Sequence, residues 1–276
     1  MRSLPQLQKL AIAILICMHL AVLGARLLAP HDPTEQNRAS ALAPPSRSFL
    51  LGTDEFGRDQ LSRILWGGQI SLATGWIATL LALGIGLTMG VVAGFWGGWI
   101  DGLLMRGAEL FLALPWLYFL LAVRAFLPLS LRPWTIALTM AAIIGAIGWA
   151  RPARLVRGVI LSAKEREFVY AARGFGASPW RLITRHCLPE TYGILLTQAA
   201  LLLPQFILAE VTLSFLGLGV AEPAVSWGNL LAPLRQIAII GTSWWMVLPA
   251  LLLVAIAWGF SALEDELANV ARAKSR

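Results

Sequence analysis

The stretch Glu167-Phe-Val-Tyr-Ala-Ala-Arg-Gly-Phe-Gly-Ala-Ser-Pro-Trp-Arg-Leu-Ile-Thr-Arg-His-Cys-Leu-Pro-Glu190 is a polar, basic segment set between long apolar runs, and it decides how the chain is read. From Lys164 to Arg173 the residues Phe168, Ala171 and Ala172 recur at helical spacing opposite Glu165, Arg166 and Arg173, which predicts a short amphipathic helix. Gly174 and Gly176 stop it, and Gly176 is the place for a positive φ. Ser178 then offers an N-cap oxygen and Pro179 occupies the first helical position, so a second helix starts there and runs to about Leu188, with Pro189 and Glu190 opening the next apolar run. Two helices joined at a glycine turn, with alanines on a small face, have the shape of a loop that docks in another protein's groove. They equally fit a solvated basic connection between membrane spans.

The rest of the chain shows why a membrane enters the reading. Of its 276 residues 58% are hydrophobic and only 13% charged, too apolar for an ordinary soluble domain of this length, so the chain is an integral membrane protein with the lipid bilayer as its first partner. The net charge of +7 does not point to nucleic acid, because the basic residues gather at the edges of apolar runs, where membrane proteins keep them on the cytoplasmic side. Cys17 lies in the first apolar run and Cys187 in the basic loop; they are not placed to form a disulfide and have no metal-ligand spacing.

Arg2 and Lys9 precede an apolar run from Leu10 to Leu28, long enough to cross a bilayer. The pattern also fits a secretory signal peptide, but the run is long for one and Arg26 can snorkel at its outer end, which favours an uncleaved helix. Residues 30–68 form a polar, non-cytoplasmic loop, in which Thr53 and Asp54 followed by Leu61, Ile64 and Leu65 predict a short helix lying on the membrane surface. No charge occurs from Ile64 to Ile100, and glycines at 75, 84, 86, 90 and 94 mark a span that approaches its neighbours closely. Leu103 to Ala125 is a third span kinked at Pro115, with Arg124 snorkelling near its far end, and Pro133 to Ala150 is a fourth. Arg151, Arg154, Arg157, Lys164, Arg166, Arg173, Arg181 and Arg185 follow, and this surplus places the loop in the cytoplasm. Thr191 to Val220 is a fifth span interrupted by Pro204 and Glu210, and Trp244 to Leu263 is a sixth, with Trp244, Trp245 and Trp258 near its ends. The expected fold class is thus an all-α integral membrane protein of six transmembrane helices, N-in and C-in, with a cytoplasmic helix-turn-helix loop. It divides into an N-terminal helix and outer loop (1–68), a core transmembrane domain (69–263) and a cytoplasmic tail (264–276).

Chemistry of its own is not expected. No glycine is followed by lysine, so the chain has no phosphate-cradling loop and any ATP is used by a partner. His19, His31 and His186 show no ligand spacing and the serines no nucleophile elbow, so no catalytic residue and no metal site is assigned, and the chain is read as a non-enzyme. Glu210, deep in a span, must face a partner group or a water-filled passage; it fits a translocation pathway or a structural hydrogen bond to a neighbouring helix.

Three separated motifs resemble a known family. Ala171 and Ala172, then Gly176, then Leu188 and Pro189 match the Glu-Ala-Ala, Gly, Leu-Pro pattern of the membrane subunits of bacterial binding-protein-dependent ABC importers, with Tyr170 where that pattern usually has Glu. Leu51-Gly-Thr-Asp54, Gly57-Arg-Asp59, Ser62-Arg63 and Ser71-Leu72 resemble the N-terminal segment of the dipeptide, oligopeptide and nickel permeases. Ala209-Glu210, Leu213 to Gly219 and Ser226-Trp-Gly228 match a third stretch of the same family. Cys187, Glu190, Arg124 and a tail from Ser261 without Gly-Asp are departures from it.

The resemblance implies a MetI-like, type-1 transmembrane domain of the bacterial inner membrane. Phe168, Tyr170, Ala171, Ala172, Gly176, Leu188 and Pro189 would form its ATPase-coupling loop, and Glu210 and Ser214 would belong to the translocation pathway. The implied partners are a second, homologous permease, two cytoplasmic ATPase subunits that use ATP and Mg, and an extracytoplasmic solute-binding protein. The implied cargo is a dipeptide or oligopeptide, with nickel or another small solute as the alternative. A secondary transporter would show inverted repeats and several intramembrane charges, and a membrane-embedded enzyme would show polar groups converging at membrane depth. Neither pattern is seen here.

Overall fold

The computed structural model describes residues 6–126 and 132–274; Arg2, first of the basic residues before the opening apolar run, lies outside the described residues. Its helices are α1 (Gln6–Leu23), α2 (Ala25–Leu28), α3 (Gln60–Trp96), α4 (Gly98–Ala113), α5 (Trp116–Ala125), α6 (Pro133–Gly148), α7 (Ala150–Lys164), α8 (Glu167–Gly174), α9 (Pro179–Leu182), α10 (Tyr192–Phe215), α11 (Trp227–Leu230), α12 (Ile237–Thr242) and α13 (Leu248–Lys274). Among the described residues no β-strand forms. Four helical stretches are long and apolar enough to cross a membrane, and counting the bent pairs α4–α5 and α6–α7 as one span each raises the number to six.

Helix α3 is the axis of the bundle. It packs along its length against α6, α7 and α10, with shorter contacts to α1, α2 and α11. Gly86, Gly90 and Gly94 recur every four residues, so they share one face, and a Cβ placed on them would come 2.7 Å from Pro152 Cβ, 2.6 Å from the Ala153 carbonyl oxygen and 2.9 Å from Ile160 Cβ. The absence of side chains there lets the backbone of α7 lie directly on α3, the means by which helices associate where hydrophobic burial gives no driving force between them. On another side, Leu15 of α1, Ile207 of α10 and Ile256 and Phe260 of α13 close around Trp227 in a shared core. His19 is packed there too: its ring meets Trp76 and Phe260 edge to face, and Nδ1 lies 2.9 Å from the Leu15 carbonyl oxygen.

Several expected boundaries shift, each for a local reason. The surface helix expected from Thr53 does not form. Asp59, not Asp54, caps a helix by accepting the Ser62 N–H at 2.8 Å, and that helix is α3 itself, 37 residues long. Pro115 breaks the third apolar run more severely than a kink, with α4 and α5 meeting at 87°. The fourth run does not end before the arginines: after a 44° bend at Trp149 it continues as α7, so Arg151, Arg154 and Arg157 are helical residues. There Arg157 pairs with Asp101 of α4. The helix opened by Pro179 continues through a π-helical turn at Ile183–Cys187 and a 3-10 turn at Leu188–Thr191 into α10, because Pro189 lacks the N–H that a regular turn would use. Helix α10 stops at Phe215, short of Val220, and α13 carries helix through the charged residues from Glu264. Helix α3 runs through residue 68 and α13 through residue 263.

Candidate functional site

Two polar regions sit at opposite ends of α3, which at about 1.5 Å per residue keeps them roughly 55 Å apart. At the Trp96 end, where Lys164 Nζ donates to the Gly94 carbonyl, lie α7, α8 and α9. Helix α8 ends as the glycines require: Gly176 has φ +81°, its N–H bonds the Arg173 carbonyl at 3.0 Å, and the Ala177 N–H bonds the Ala172 carbonyl at 3.1 Å. This is a Schellman cap, in which a left-handed residue lets the chain turn back over the last helical carbonyls. Ser178 caps α9 by accepting the Arg181 N–H at 3.4 Å, with Pro179 first in the helix.

Helix α8 stands on one side chain. Val169 is fully buried and Ala172 half-buried, whereas Phe168, Tyr170 and Ala171 are exposed; the inward face therefore centres on Val169, not on Phe168. Phe168 leans on the His186 ring at 5.9 Å, and Arg166 reaches Glu190 at 3.4 Å. Phe175 and Trp180 are 93% and 72% exposed, an unusual disposition for large apolar rings. Leu188 is half-buried and Pro189 exposed on the turn leading into α10. The Tyr170 hydroxyl donates to Glu165, which raises the phenol pKa, and Arg173 lies over the Tyr170 ring.

At the Gln60 end the two other motifs fold into one body. Asp54 accepts from the Phe56 and Arg58 N–H groups and from Arg58 Nε at 2.7 Å, with Arg63 Nε 3.4 Å away. Both guanidinium groups then converge on Glu222: Arg58 Nη1 at 2.8 Å on one oxygen and Arg63 Nη2 at 2.6 Å on the other. Two carboxylates thus balance two arginines in a largely dry setting, where an unpaired charge would be costly. Only the Glu222 side chain is substantially exposed, at 45%. Trp245 ties the loop down from the α13 side by donating its indole N–H to the Thr53 carbonyl at 2.9 Å.

Just below, Glu210 is fully enclosed. Ser214 Oγ donates to one carboxylate oxygen at 2.6 Å, and Ser71 and Ser226 lie around the same carboxyl, whose other oxygen has no hydrogen-bond partner among the described residues. Each serine oxygen also accepts a main-chain N–H: Ser71 from Trp227 at 3.1 Å, Ser214 from Val220 at 3.2 Å, Ser226 from Asn229 at 3.4 Å. Ser214 thus bonds Glu210 directly, while Ser71 of α3 and Ser226 of the loop after α10 stand beside it, so three parts of the chain close around one carboxyl. Gly228 allows the approach, since a Cβ there would lie 2.5 Å from the Val211 carbonyl oxygen. The structure brings Glu210 and Ser214 together and sets both inside the subunit, against partners of their own chain. Ser71, Arg58, Arg63 and Glu222 were not assigned from sequence as site residues; their partners lie roughly 160 positions away and leave no local pattern.

The profile of a family described as binding-protein-dependent transport system inner membrane component matches residues 86–263. The chain is 37% identical over 272 residues to the dipeptide transport system permease protein DppC of Bacillus subtilis (strain 168), covering 97% of this chain and 83% of that one. It is 33% identical over 271 residues to the oligopeptide transport system permease protein OppC of the same organism, covering 98% and 87%. It is 36% identical over 262 residues to the DppC of Alkalihalophilus pseudofirmus, covering 94% and 84%. With apolar helices for at least four crossings and a matched transport domain over most of its length, the chain is a multi-pass membrane protein and belongs to the inner membrane components of binding-protein-dependent transport systems.

Proposed function

We propose that this chain is one of two paired permeases of an ATP-driven importer of dipeptides or oligopeptides, with six spans and both termini in the cytoplasm. The peptide cargo rests on the relatives named dipeptide and oligopeptide permeases; nickel or another small solute is the alternative. ATP and Mg are used by two partner ATPases that dock on α8, and a solute-binding protein delivers cargo at the Glu222 end. A second, homologous permease completes the passage.

The observation that carries this reading is α8 itself. It is a short helix held by Val169, with Tyr170, Ala171, Phe175 and Trp180 turned outward and uncovered, in the segment that bears the basic surplus. Such a helix, with Ala171 the small residue among outward rings, enters a groove where a large charged side chain is excluded. Ala172→Glu adds bulk and a charge to be desolvated, and Gly176→Val forces a β-branched residue into positive φ. The test is co-purification of ATPase subunits with each variant, together with ATP-driven uptake in vesicles. Loss of both is expected; retention of bound ATPase and normal uptake in both variants overturns the reading.

Topology is checked by labelling with an impermeant thiol reagent in intact cells, in a background lacking Cys17 and Cys187. Asp54 and Ser226 are buried, so the outer reporter is Leu50→Cys, 56% exposed, and the inner one Phe175→Cys. Labelling of the first and protection of the second are expected.

A further inference from the structure

Three irregularities in the helices meet at one place: the break between α4 and α5 at Pro115, the bend between α6 and α7 at Trp149, and Pro204 inside α10. Between them opens a cleft of about 500 Å³, walled by Trp116, Leu120, Gly148 and Phe206 and lined by the polar groups of Arg151 and Gln205. Both polar side chains are exposed, and among the described residues neither has an ion pair or a hydrogen bond from its side chain. Their position along the bundle is fixed by packing. The turn at Trp149 and Pro152 lies against Gly86, ten residues inside the Trp96 end of α3, and Gln205 is near the middle of α10.

A permanent cation and a primary amide turned into an otherwise apolar cleft need water or a polar partner rather than hydrocarbon. The cleft must open onto water or onto a polar occupant. A guanidinium presents parallel N–H donors that match a carboxylate. The neighbouring carboxamide both donates and accepts, as a peptide bond requires of its partner, and the aromatic and aliphatic walls suit side chains of varied shape.

Resting on the reading of this chain as a peptide permease, we propose that the Arg151–Gln205 cleft is a contact point on the passage, where Arg151 holds the carboxylate of the transiting peptide and Gln205 its backbone. An exposed, hydrated arginine binds weakly enough to release its cargo onward. Glu210, closed in by its own serines, takes no part in this contact.

The experiment uses the complete complex with its binding protein in proteoliposomes, and radiolabelled Ala-Ala, Ala-Asp and Ala-Lys as probes. Losing a charge-assisted hydrogen bond predicts that Arg151→Gln lowers uptake of these dipeptides on the order of tenfold or more. Arg151→Lys keeps most of it, and Arg151→Glu penalises Ala-Asp most and Ala-Lys least. A photo-crosslinking residue at Gln205 should capture labelled peptide during turnover. Uptake by Arg151→Gln and Arg151→Glu equal to wild type for every peptide overturns the proposal. So does a defect that appears only in vesicles containing anionic lipid, which would make the occupant a lipid headgroup. Absence of ATP-driven peptide uptake by the wild-type complex instead overturns the peptide-permease reading on which the proposal rests.

Discussion

Trp227 donates its indole N–H to the main-chain carbonyl of Ile64, 163 residues earlier, at 2.9 Å and with the whole ring buried. This bond joins the Ser-Trp-Gly stretch to the first turns of α3. Trp227→Phe removes the donor and part of the ring and should cost about 1–3 kcal/mol. Trp227→Ala leaves a cavity as well and should cost about 3–5 kcal/mol. Thermal unfolding in detergent is the measurement, and a Trp227→Phe protein as stable as wild type would remove the bond's importance.

Glu210 accepts the Ser214 hydroxyl, with Ser71 and Ser226 close about the same carboxyl. Glu210→Gln keeps one acceptor oxygen for Ser214 and puts an N–H₂ with two further protons to satisfy where the second carboxylate oxygen stood. Glu210→Ala leaves the buried Ser214 donor unmet, at roughly 1–3 kcal/mol, and empties the space the carboxyl filled. The expected order of folded, monodisperse yield is wild type, then Gln, then Ala. A Gln variant of full stability and failed transport would instead assign the carboxylate to the passage.

Glu222 neutralises Arg58 and Arg63 together. Glu222→Gln retains hydrogen bonding and loses the charge, and it leaves a buried arginine pair with only Asp54 between them. Breaking a buried pair costs about 3–5 kcal/mol; with Glu222 half exposed to solvent the cost should fall between that and the roughly 0.2–1 kcal/mol of an exposed pair. Limited proteolysis of residues 30–59 should accelerate in this variant, and an unchanged cleavage rate would show that Asp54 alone suffices.

Gly90 lies where a Cβ would meet Val156 Cβ at 2.7 Å. Gly90→Leu must push α7 off α3, at about 1–3 kcal/mol or more. Gly84 has nothing within 4 Å of its added Cβ, so Gly84→Leu is the matched control on the same helix. Near-equal melting temperatures for the two variants would refute the close-contact role of the glycine stripe.

Much of this molecule is written locally. Apolar runs set the helices, Ser178 and Pro179 start α9, and Gly176 ends α8 with the positive φ that only glycine adopts without strain. The basic residues after Ala150 mark the loop, and the motif residues between 168 and 189 lie within one short segment. These features are legible because each depends on a residue and its near neighbours.

Tertiary structure decided what depends on distant parts of the chain. Spacing alone put Phe168 on the inner face of α8, whereas the fold buries Val169 and leaves Phe168 exposed. The sequence separated the segments 51–72 and 209–228; the fold joins them through Ser71, Arg58, Arg63 and Glu222. Glu210 was legible as a buried acid, yet whether it faced water or serines depended on where α3 lay. Arg151 was one more arginine in a basic run until the bends at Pro115 and Trp149 placed it beside Gln205. The physical reason is common to all of these: hydrogen bonds, ion pairs and clefts between helices are fixed by how close two backbones come, and that is set by packing along whole helices.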